Sequence, residues 1–83
     1  MKQITECLDR AFQKKPPLNK KWRAQIMHLK DYPHPVLIVM HYHHLSLLYC
    51  IERRKPLHTW WEKPTDKRGL DAALDYLENR PST

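Results

Sequence analysis

The stretch that most restricts what this chain can become is Pro35 to Ile51, PVLIVMHYHHLSLLYCI, two apolar runs joined through a pair of histidines. Val36 to Val39 are apolar without interruption, Tyr42 and Tyr49 suit a pleated surface, and neither run holds an internal glycine or proline. The pattern predicts a β-hairpin. A two-residue turn at His43 and His44 would set Tyr42 opposite Leu45, Met40 opposite Leu47, Ile38 opposite Tyr49 and Val36 opposite Ile51. Strand side chains alternate between faces, so those eight would form one wholly apolar face. Leu37, Val39, His41, Ser46, Leu48 and Cys50 would then form a second, mixed face. Tight hairpin turns need positive φ, which histidine tolerates better than most residues.

The flanking segments are read by how they cover this hairpin. In residues 2–14, Ile4, Cys7, Leu8, Ala11 and Phe12 recur at helical spacing, and Pro16 with Pro17 stops the helix. Residues 22–30 alternate as a strand, with Trp22, Ala24 and Ile26 on one side, and DYPHP turns the chain into the hairpin. ERRKP, residues 52–56, has no apolar side chain except proline and is expected to be an exposed turn. Residues 57–62, LHTWWE, suit a short fourth strand. Adjacent strand residues face opposite ways, so Trp60 and Trp61 cannot both enter one core. From Pro64 the period becomes helical again, with Leu70, Ala73, Leu74 and Leu77 on one stripe and Thr65 or Asp66 as the cap. Gly69, the only glycine, is expected to weaken the first turn.

The expected fold is therefore a small single α+β domain spanning residues 1–83. An N-terminal helix (2–14) precedes an antiparallel meander of three to four strands (22–62) and a C-terminal helix (66–79), with both helices packed on one sheet face and residues 80–83 as a loose tail. Eighty-three residues leave room for one core and no second domain.

Cys7 and Cys50 are too few for a disulfide scaffold, and no apolar segment has the length of a signal peptide or membrane span. A cytoplasmic protein with free thiols and no membrane partner is expected. The net charge of +6 comes from the front of the chain: residues 1–30 carry eight Lys and Arg against two acids. Such an imbalance favours polyanionic partners. Lys14, Lys15, Lys20, Lys21 and Arg23 form one basic segment and Arg53, Arg54 and Lys55 another, each with a tryptophan nearby. Together with Trp60 they are the candidate nucleic-acid contacts, with phosphates on the cations and bases on the aromatic ring.

The competing expectation is a protein-interaction module or a homodimeric regulator that uses the mixed sheet face. Its candidate residues are Leu37, Val39, His41, Leu48 and Trp61. Catalysis is not expected, because there is no phosphate loop, nucleophile elbow or motif-placed carboxylate pair, and Cys50 or Ser46 beside His41 lacks an orienting third group. His41 and His43 would lie about 6.7 Å apart along a strand. No further ligand stands at zinc-site spacing, so neither metal nor cofactor is expected.

Overall fold

A computed structural model describes residues 2–80. The elements are α1 (Lys2–Phe12), β1 (Trp22–His28), β2 (Pro35–His41), β3 (His44–Cys50), β4 (Lys55–Thr59) and α2 (Pro64–Glu78). The four strands form one antiparallel sheet in the order β1-β2-β3-β4, each strand beside its chain neighbour as short connections favour. Both helices lie on one face, α1 against β1, and α2 against α1 and β3. The expected α+β order is the one observed.

Each helix buries the stripe its periodicity marks: Ile4, Leu8 and Ala11 from α1, and Leu70, Ala73 and Leu77 from α2. These close over Trp22, Ala24, Leu37, Val39, Leu47 and Tyr49 from the sheet. At about 25 cal/mol per Å² of apolar surface, burial of such large side chains is the main force holding two short helices on a small sheet.

The hairpin forms one residue out of the expected register. Its turn is Tyr42–His43, with Tyr42 at φ 56°, so His41 pairs with His44 and Met40 with Leu45. Further along, Val39 pairs with Leu47, which leaves Ser46 as the extra residue of a bulge. A one-residue slip turns every side chain of one strand over. Leu37, Val39 and His41, expected on the outer face, are therefore buried beneath the helices, while Val36, Ile38 and Met40 turn to the other face, where Ile38 and Met40 are half-buried and Val36 is fully buried. Leu47 and Tyr49 point inward as expected, and Leu48 points outward.

Two tertiary contacts select this register. Ser46 sends its carbonyl to the Trp60 N–H at 2.9 Å and donates its hydroxyl to the Trp60 carbonyl at 3.3 Å, so the bulge joins β3 to the end of β4. His41, once inside, stacks on the Trp22 indole with centroids 4.0 Å apart and places Nδ1 2.5 Å from Asp66 Oδ1. The other Asp66 oxygen accepts N–H bonds from Lys63 at 2.9 Å and Glu62 at 3.3 Å. Asp66 thus closes the start of α2 and meets a buried imidazole with the same carboxylate.

Several boundaries differ from expectation. Helix α2 begins at Pro64, with Lys63 as its cap, because proline is preorganised for the first helical position. Helix α1 ends at Phe12 instead of residue 14. The exposed turn ends at Arg54, and Lys55 and Pro56 enter β4, which stops at Thr59 before the tryptophans. Gly69 lies inside a regular helix: a Cβ there would come within 2.0 Å of the Trp22 ring, so the glycine gives the indole room to lie on the helix backbone. Residues 81–83 of the expected tail lie outside the described residues.

Candidate nucleic-acid interface

The end of α1 is where the basic character becomes organised. The Lys15 N–H bonds to the Arg10 carbonyl at 2.9 Å and the Lys14 N–H to the Ala11 carbonyl at 3.0 Å. This is the Schellman pattern, and it requires a left-handed residue at the position after the cap, usually glycine. Here that residue is Lys14, at φ 59°. The Arg10 guanidinium then donates to the Pro16 carbonyl at 2.8 Å and holds the following Pro-Pro segment beside the helix. The chain runs back as a strap whose first residues stand apart from β1.

Between strap and strand lies a groove of about 860 Å³. Phe12, Ile26 and Ile51 are among its apolar walls, with prolines from the strap and from Pro35. Its cationic side chains are Lys14, Lys15 and Arg80, with His28 beside them, and no carboxylate is among the described residues that line it. Apolar surface ringed by cations without counter-charge is an environment for an anion that carries an apolar body.

Arg80 is placed there by α2. Its guanidinium lies over the Phe12 ring, 3.6 Å from the centroid. Arg54, left-handed at φ 53°, crosses from the β3–β4 turn and donates Nη2 to the carbonyls of Leu77 at 3.2 Å and Arg80 at 2.8 Å. Leu77 is in the last turn of α2, where its carbonyl also accepts the Arg80 N–H at 3.4 Å, and a cation at this end of the helix opposes its dipole. Tyr76 stacks with Phe12 and donates its hydroxyl to Asp9 at 2.5 Å. Burial, and next the Asp9 carboxylate, push the Tyr76 hydroxyl up to about 12. It is a proton donor at every ordinary pH, which keeps α1 and α2 joined under Phe12.

The structure divides the expected basic residues between the two ends of the sheet. Lys14 and Lys15 join Arg54 at the groove end, where Arg53 and Lys55 flank Arg54 in the same turn. Lys20, Lys21 and Arg23 lie toward the opposite end, at the start of β1: Lys20 pairs with Glu6 at 3.3 Å, the Lys21 carbonyl accepts the Tyr42 N–H, and Arg23 donates to the Tyr42 carbonyl at 2.7 Å. Trp60 also sits at the hairpin-turn end, stacked on His44 with centroids 4.3 Å apart. It therefore stands a strand length away from Arg53–Lys55.

Among the expected partner residues, Leu37, Val39 and His41 are interior. Leu48 is half-buried on the outer face, and Trp61 is half exposed with Lys67 Nζ 5.8 Å from its ring. His41 is committed to Asp66, and no three His, Cys, Asp or Glu among the described residues are grouped to hold a metal. No helix among the described residues is long and apolar enough to cross a membrane.

Sequence reasoning missed Arg80, Phe12 and His28 as groove residues. Arg80 stands alone after an acidic helix face, and only its position against Phe12 ties it to the lysines 65 residues earlier. No family model matches the chain, and no curated protein or solved structure shows significant similarity to it.

Proposed function

We propose that this protein is a non-enzymatic nucleic-acid-binding protein of the cytoplasm whose contact surface is the groove end of the sheet. The observation that carries this reading is the convergence of cations from three distant parts of the chain: Lys14 and Lys15, Arg53 to Lys55, and Arg80. Two of them, Lys14 and Arg54, occupy left-handed backbone positions where glycine would be easier to fold. Arg54 is repaid by its bonds to α2. Lys14 gains a place on the groove wall, which is what a phosphate contact requires.

Titration of labelled single- and double-stranded DNA and RNA at 50 and 200 mM salt tests the reading. Binding is expected at low salt and is expected to weaken steeply at high salt. Charge reversal at Lys14 and Lys15 should cost at least tenfold in affinity, and reversal at Lys20 and Lys21 several-fold less. Absence of binding to all four probes at low salt would sink the proposal.

A second reading rests on the outer sheet face, where Met27, Ile38, Met40, Leu45 and Leu48 are half-buried and no helix among the described residues covers them. It makes this face the docking site for a protein partner or a second copy. Light scattering across a hundredfold concentration range tests the second-copy form, and a constant monomer mass rejects it.

A further inference from the structure

We infer that the groove takes the base of an unpaired nucleotide, so that the protein selects single strands over duplex; this rests on the nucleic-acid reading above. The cations surround a concavity instead of crowning a convex surface. A duplex presents a broad rod whose bases are stacked inside, so it would touch part of the rim and leave the apolar walls in water. An unpaired strand can put phosphates on Lys14 and Lys15 and turn a base inward.

The walls match a base in two respects. Ile26 and Ile51 supply apolar surface for one flat face. Arg80, with its guanidinium carbon 3.6 Å from the Phe12 centroid, supplies a planar cation, and guanidinium planes stack well on bases. The size is also right, since about 860 Å³ is on the order of one or two nucleotides, within the range of small-molecule sites. An anionic lipid or fatty acid would use the same cations and walls but has no use for a planar cation.

Fluorescence anisotropy with labelled oligo(dT)12 and a 12-base-pair hairpin duplex at 50 mM salt tests this. The single strand is expected to bind at least tenfold more tightly. Arg80→Lys keeps the charge and loses the plane, and is expected to bring the two affinities within threefold of each other by weakening the single strand more than the duplex. Equal binding of strand and duplex, or an equal loss on both in the Arg80→Lys protein, overturns base insertion but leaves the nucleic-acid reading standing. No binding of either probe overturns both. Saturable oleate binding that displaces the oligonucleotide and is tighter than it assigns the groove to an anionic amphiphile and likewise overturns base insertion.

Discussion

Lys14 and Gly69 are a complementary pair of departures from what local conformation prefers. A left-handed C-terminal cap asks for glycine and receives lysine, and the interior of a helix asks for anything but glycine and receives one. At Gly69 the reason is packing. Gly69→Ala is expected to destabilise by about 2 to 3 kcal/mol despite better helix propensity, because the new methyl enters the Trp22 ring and a close-packed site has nowhere to send it. A urea titration of the two proteins measures this. Lys14 is exposed and lines the groove. Lys14→Gly is expected to stabilise by about 1 kcal/mol while weakening oligonucleotide binding, and a gain in both stability and affinity would show that the side chain has no part in binding. Composition could mark Gly69 as unusual, since it is the only glycine, but the ring above it comes from a residue 47 positions earlier.

At the scale of elements, the decisive unit is the start of α2 together with the end of β2. The Lys63 N–H first, and then the His41 imidazole, hold the Asp66 carboxyl below its ordinary value. The sign follows directly. The unfolded chain takes up this proton near pH 3.8 and the folded chain only at lower pH, so the stabilisation is complete above that value and is lost as pH falls through the folded pKa. Asp66→Asn is therefore expected to lower the melting temperature at pH 7, with the gap to the parent protein narrowing below pH 4. Thermal melts from pH 7 to pH 3 measure it, and a gap independent of pH would remove the carboxylate's charge from the explanation. Both helices were legible from their apolar stripes, which depend on sequence spacing alone. The α2 boundary was less so, because Asp66 looks like a cap residue and acts instead from the third helical position back onto Lys63.

For the whole molecule, the division of basic residues between two ends about 30 Å apart at most, given principal extents of 32 × 24 × 22 Å, sets what salt should do. A single strand held by Lys14, Lys15, Arg53, Lys55 and Arg80 should show a log–log salt slope of about −3 to −4, and replacing Lys14 and Lys15 by alanine should reduce its magnitude by about 1.4. An unchanged slope in that variant would move the contact surface away from the groove.

By itself the sequence determined the class, the order of elements, the inward stripes of both helices and the inward positions of Trp22 and Ala24 on β1 and of Leu47 and Tyr49 on β3. Each of these follows from period and punctuation within a dozen residues. Tertiary structure alone decided the turn, and with it which face of β2 is interior. PVLIVMH is apolar on both faces, so its pattern could not choose between them. Trp22 and Asp66, distant in the chain and adjacent in space, made the choice by giving His41 a stack and a carboxylate it could find only inside.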